Sequence, residues 1–172
     1  MDTLSHALWP AALFPNARWR WVAALWGILS DLGMAGPLLY VISQDGLRQL
    51  CWITPGWVCS AAIPHYNIPD VWMLPYTLLH SFVPWVIVGV GLSLVFRKLY
   101  FPIVGWGLHI LLDMTMHDGD YATQIFYPFS SYHPPFLVSW QDSRVLLVNW
   151  VLLVALLGVG FFVRKRRRKS NV

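Results

Sequence analysis

Residues 107–117 read GLHILLDMTMH. Leucine, isoleucine and methionine dominate the stretch, yet it carries His109, Asp113 and His117. Read as a helix, His109 and Asp113 are one turn apart on one face, and His117 follows a turn later. Removing such groups from water is unfavourable unless something compensates them. A metal ion would do so, taking a neutral imidazole nitrogen and an anionic carboxylate oxygen from the same face. A purely structural hydrogen-bond network would also do so, and these residues alone leave both readings open.

The surrounding chain is still more apolar. Of 172 residues, 57% are hydrophobic and 12% charged, which is far from a soluble domain and close to a membrane protein. Residues 21–42 contain one charge, Asp31, while residues 71–96, 99–112 and 145–163 contain none. With the third run extended to about residue 116, each is long enough for a helix across the hydrocarbon core. The expected fold is an all-α, polytopic membrane bundle of four transmembrane helices. The opening MDTLSHALWPAALF, interrupted at Pro10, predicts a short re-entrant or interfacial helix before them. With no basic start and no small-residue cleavage site, the first run does not read as a signal peptide.

Charge sets the expected orientation. Arg18 and Arg20 precede the first run, Arg97 and Lys98 separate the second from the third, and RKRRRK at 164–169 follows the fourth. Placing all of them in the cytoplasm makes the spans alternate, with both termini inside. Residues 1–163 then form the membrane domain and 164–172 a basic cytoplasmic tail. Six of the twelve basic residues lie in that tail, so the body has six against eight acidic residues. Such a run is also a nucleic-acid signal, but directly after an apolar span it reads as an anchor beside anionic lipid, with no direct nucleic-acid contact expected. Trp19, Trp21, Trp72, Trp140 and Trp150 fall near span ends, as an interfacial belt requires. Cys51 and Cys59 share an external loop, where they either pair or stay free.

Counting about 1.5 Å per residue from the basic ends places Asp31 and His109 roughly 16 Å into the membrane, and Asp113 and His80 roughly 22 to 26 Å. Three spans thus bring ionisable groups to one layer. Intramembrane ionisable residues are costly and usually paired or functional. The glycines and Pro37 around GILSDLGMAGP predict a bent or interrupted first span. The chain contains no glutamate, which excludes HExxH chemistry and leaves aspartate as the only carboxylate. No GxSxG elbow or glycine-rich phosphate loop is present.

The ordered set MDTLSHALW, SDL at 30–32, LHS at 79–81, HILLDMTMH at 109–117, YATQIFYPFS at 121–130 and SW at 139–140 covers nearly the whole chain. In that set the chain resembles the family of small membrane-bound, predicted metal-dependent hydrolases, whose founding bacterial member is described as a LexA-binding inner-membrane protein. The resemblance implies metal ligation by His6, Asp31, His80, His109 and Asp113, with His117 as a sixth site residue. It also implies a bacterial inner (cytoplasmic) membrane location. At the level of helical His/Asp sites the family is similar to zinc-dependent phospholipase C and single-strand-specific zinc nucleases, which implies phosphate-ester hydrolysis. The chain departs from the family pattern in two places. Ser30 and Gly33 stand where many members have a proline and a second acidic residue around the first aspartate, and Leu74-Pro75-Tyr76 where many have a His-Arg pair. Fewer ligands favour one metal over two or three.

The expected function is therefore hydrolysis assisted by a divalent metal, zinc first, with manganese or iron able to accept the same ligands. Asp31 is a ligand or base and His117 a proton donor at the mouth, acting on a phosphate ester that is lipid-linked. His65, Asp70, Asp118, Asp120 and His133 are expected to be exposed polar residues. Two other classes stay open: a noncatalytic membrane scaffold or protein partner locked by His–Asp pairs, and a haem protein using His80 and His109, which Asp31 and Asp113 fit poorly.

Overall fold

The computed structural model describes residues 2–45 and 67–170. The proposed loop cysteines, Arg48 and His65 lie outside them. The described chain is all-α, with seven α-helices: α1 (Thr3–Leu13), α2 (Arg20–Leu29), α3 (Ala35–Asp45), α4 (Asp70–Leu79), α5 (Phe82–Val95), α6 (Val104–Asp113) and α7 (Ser143–Ser170). Short 3-10 turns at Ser30–Met34, Phe101–Ile103 and Gly119–Tyr121 join or extend them.

Among the described residues, two helical stretches are long and apolar enough to cross a membrane: Arg20–Gln44, which is α2, the 3-10 turn and α3 in one rod, and Ser143–Arg166 within α7. A bent pair, α4 with α5, makes up to three. The expected interruption at Asp31 is present as the 3-10 turn. Close packing accounts for it. A Cβ on Gly33 would stand 2.8 Å from Cα of Tyr76, and one on Gly36 would run into the Trp72 carbonyl, so only glycine lets α4 lie this near.

Two expectations need correction. Residues 71–96 do not form one straight span, because α4 and α5 meet at 56° across His80 and Ser81. Ser81 caps α5, its Oγ accepting from the Val83 amide at 3.3 Å. The break frees backbone groups that would be very unfavourable in hydrocarbon. Several find partners nearby. Trp106 Nε1 donates to Leu79 O at 2.5 Å, and the Phe82 amide donates to Ile125 O at 3.0 Å. The Ser81 hydroxyl faces the carbonyls of Ile125 and Tyr127 at 3.1 and 2.9 Å. The segment following α6 thus fills the break. The third run is also shorter than expected: helix covers Phe101–Asp113 and ends at Asp113 itself.

Helix α1 runs opposite to α2 and beside α7. Ser5 lies against Asn149, whereas the Pro15 carbonyl takes both Arg20 and Arg164 guanidinium groups. The two contacts on α7 are ~22 Å apart along its axis. The start of α1 therefore lies well along the bundle from the basic end, where Arg20 and Arg164 meet the Pro15 carbonyl. This brings His6 beside Asp113, its Nε2 3.2 Å from Asp113 Oδ1. The anchor is a buried network: Asn149 Nδ2 donates to Ser5 Oγ at 2.6 Å, Trp9 Nε1 donates to Asn149 Oδ1 at 2.8 Å, and Ser5 Oγ donates to Asp2 Oδ2 at 2.5 Å. Helix α7 continues unbroken through the basic run to Ser170, so the tail is helical backbone.

Between the rods, Ile103, Trp106, Ile110 and Ile125 form a buried cluster, with Trp26 stacked on Trp106 at 5.9 Å. At the end of α5, the Arg97 and Lys98 amides bond to Leu94 O at 3.1 Å and Ser93 O at 3.0 Å, the pattern of a Schellman cap. Arg97 occupies the left-handed position at φ 52°, where glycine is the usual residue and any other costs about 1 kcal/mol.

Candidate metal centre

His6, His80, His109 and Asp113 are all buried to 2% exposure or less, and each comes from a different position on the fold. His109 and Asp113 lie on α6, one turn apart. His80 is the residue at the α4–α5 break, His6 comes from the inserted start of α1, and Asp31 from the 3-10 turn of the first rod. Gly27 on α2 is needed for this assembly, because a Cβ there would collide with the His6 carbonyl.

The tautomers follow from hydrogen bonding. His80 Nδ1 lies 2.8 Å from Tyr76 O, and His109 Nδ1 lies 2.8 Å from Gly27 O. A carbonyl only accepts, so both Nδ1 atoms carry hydrogen and donate. In the neutral rings each Nε2 then presents a lone pair. Those two Nε2 atoms face each other at 3.0 Å. Asp113 Oδ2 lies 3.5 Å from His109 Nε2 and Asp31 Oδ1 3.8 Å from it. Two lone pairs and two carboxylates converging in a buried space repel unless a cation lies among them.

A divalent ion fits this donor set. Imidazole nitrogens about 2.0–2.1 Å from one ion stand roughly 2.9 to 3.4 Å apart between octahedral and tetrahedral angles. Metal-bound histidines generally donate their second ring nitrogen to a carbonyl or carboxylate, as His80 and His109 do here. Two overlapping groups offer ligand atoms within 4.8 Å of one another: His6, His109 and Asp113, and Asp31, His80 and His109. They share His109, whose only available nitrogen is Nε2. Unused donors border the same space. Among the described residues, both ring nitrogens of His6, Oδ2 of Asp31 and Oγ of Ser30 are buried without a hydrogen bond. His6 Nε2 is 3.2 Å from Asp113 Oδ1 but lacks hydrogen-bond geometry, and its ring packs on His109 at 3.8 Å.

His117 stands just outside, its Nε2 3.2 Å from Asp113 Oδ2 and its ring 6.3 Å from Trp140. Its side chain is 18% exposed and that of Asp31 19%, so these two mark the accessible edges of an otherwise closed cluster. Asp70, Asp118, Asp120 and His133 are exposed and away from it, as expected.

Three contributors were not evident from sequence. Tyr76 supplies the carbonyl for His80 and stacks on its ring at 4.1 Å, while its hydroxyl donates to Tyr121 O at 2.7 Å. Gly27 supplies the carbonyl for His109, and Asn149 secures α1. A polar Asn149 within an apolar run was the one available signal. Burial and the neighbouring Asp120 raise the Tyr121 phenol above its ordinary pKa.

An all-α protein with membrane-length apolar helices around a buried His/Asp cluster suited to a divalent metal is the class that fold and site define. No family model matches the chain, and no curated protein or solved structure matches it.

Proposed function

We propose that the chain is a membrane-bound metal-dependent hydrolase of the family it resembles, acting on a phosphate ester carried by a lipid. The observation that carries this reading is the convergence of the His80 and His109 Nε2 lone pairs beside Asp31 and Asp113. In this reading the first rod, the bent α4–α5 pair, residues 101–113 and α7 are four spans. The basic ends and the tail after residue 163 face the cytoplasm of a bacterial inner membrane.

His6, His80, His109 and Asp113 hold one divalent ion, zinc in the first instance. When bound, the ion supplies Lewis acidity, polarising a phosphoryl oxygen and lowering the pKa of water. Asp31, with Oδ2 free of hydrogen bonds and an edge open to the outside, accepts the proton of the attacking water or completes the ligand set. His117, oriented by Asp113, gives a proton to the leaving oxygen from the other edge. Tyr76 and Gly27 fix the two ring planes. The half-depth of the cluster suits a substrate whose hydrocarbon chain stays in lipid.

The test is phosphate release by the full-length protein in lipid micelles, loaded with zinc or manganese and given a lipid phosphate or a water-soluble phosphate ester. Metal-dependent turnover of the lipid substrate, lost in Asp31→Asn, is expected. A metal-loaded protein that turns over neither substrate refutes the activity. The same 3.0 Å contact also suits one proton shared between His80 and His109, the arrangement of a noncatalytic scaffold, which would bind no ion stoichiometrically.

A further inference from the structure

Lined by none of the metal-cluster residues, a groove of about 850 Å³ runs between α5 and the start of α6. Trp85 and Gly89 line it on one side, Ile103 and Phe101 on the other, and Arg97 and Lys98 stand at its basic end. We propose that this groove is a binding site for an anionic glycerophospholipid of the cytoplasmic leaflet, one acyl chain lying along α5 and the phosphate held by Arg97 and Lys98.

Three observations lead there. The lining is apolar, and Trp85 Nε1 is already bonded to Ile103 O at 2.9 Å, so the wall offers a chain and not a polar ligand. Its walls are tied together: a Cβ on Gly89 would already meet the Ile103 side chain at 3.4 Å, and the Tyr100 amide donates to Ser93 Oγ at 3.1 Å, fastening the connection to α5. The third is Arg97 itself. It holds a left-handed backbone position that glycine would fill without strain, while its side chain sits at the groove mouth next to a second cation. A charged side chain at a strained backbone position, beside a second cation, gives the groove an anion-binding end.

Within a bilayer an apolar groove by itself gains nothing over bulk lipid, because acyl chains are as apolar as leucine. Selectivity must come from the headgroup. Each cation near the surface favours an anionic lipid by about fivefold, and two by about thirtyfold.

The experiment is native mass spectrometry of the full-length protein with residues 164–169 changed to glutamine in every arm, so that the tail does not contribute. The probes are phosphatidylglycerol and phosphatidylcholine with identical acyl chains. A preference for phosphatidylglycerol of about thirtyfold is expected. It should vanish in Arg97→Gln/Lys98→Gln and fall about fivefold in Arg97→Gly, although that variant melts at a higher temperature. Gly89→Phe, which fills the groove and keeps both cations, should bind neither lipid. Equal retention of both lipids by the parent, or an undiminished preference in Arg97→Gln/Lys98→Gln, overturns the site. Unchanged binding in Gly89→Phe overturns the groove as its location.

Discussion

His80 and His109 present their Nε2 atoms to each other at 3.0 Å while their Nδ1 atoms both donate to backbone carbonyls. The backbone thereby fixes two tautomers that are mutually repulsive without a cation. A bound ion should stabilise the folded protein, by about 2.7 kcal/mol at a hundredfold excess over its Kd. Thermal unfolding in detergent is expected to shift upward with zinc and back with a chelator. Asp113→Asn should show no shift. A wild-type melting curve indifferent to both additions contradicts this.

Metal retention should depend on pH with a definite sign. The ligands act as neutral imidazoles and ionised carboxylates, so protons compete with the ion. Affinity measured by competition with a chromogenic chelator is expected to fall as pH decreases from 8 to about 5. Affinity that holds constant or rises toward acid would exclude histidine ligation.

Gly27→Ala directs a methyl group into the His6 carbonyl at the point where α1 meets α2. A loss of about 1–3 kcal/mol of stability is expected, with weakened metal binding because His6 and His109 both depend on this contact. Gly91→Ala, on a part of α5 with nothing within 4 Å, is the control and should be neutral or slightly stabilising. Equal effects of the two substitutions would contradict the close approach.

The ionisable part of the site was legible because charge is conspicuous in an apolar sequence: Asp31, His80, His109 and Asp113 stand out in runs that otherwise exclude them. Their convergence was only roughly legible. Depth counting assumes straight spans, whereas the second is bent at His80 and the third ends at Asp113. Pro75 and Pro84 bracket the break, but its position is settled by residues 121–130, whose carbonyls receive Ser81 and Phe82. No local pattern encodes that pairing. The direction of α1 was hidden for a similar reason, since it depends on Ser5 meeting Asn149, 144 residues away.

Asn149→Leu removes that anchor while keeping α7 apolar. Interhelical hydrogen bonds in membranes contribute about 0.6 to 1.7 kcal/mol each, so the two lost here predict a loss of about 1–3 kcal/mol. Zinc affinity should fall with it as His6 loosens, read by the same chelator competition. Wild-type affinity in Asn149→Leu would mean that His6 is not a ligand.

His117→Gln should separate binding from turnover. His117 is outside both ligand groups, and its Nε2 lies 3.2 Å from Asp113 Oδ2 at the edge of the cluster. Metal content is expected to stay at the wild-type level while phosphate release falls by about 10²–10⁴-fold. Full activity in this variant would remove His117 from the reaction.

The most direct test is the metal content of the detergent-purified full-length protein by elemental mass spectrometry, with His109→Ala/Asp113→Ala measured beside it. One equivalent of zinc, manganese or iron in the wild type, absent from the variant, is the expected result. Wild-type protein that is folded, metal-free, and still metal-free after incubation with these ions would contradict the metal centre and leave the buried histidines and aspartates as structural pairs.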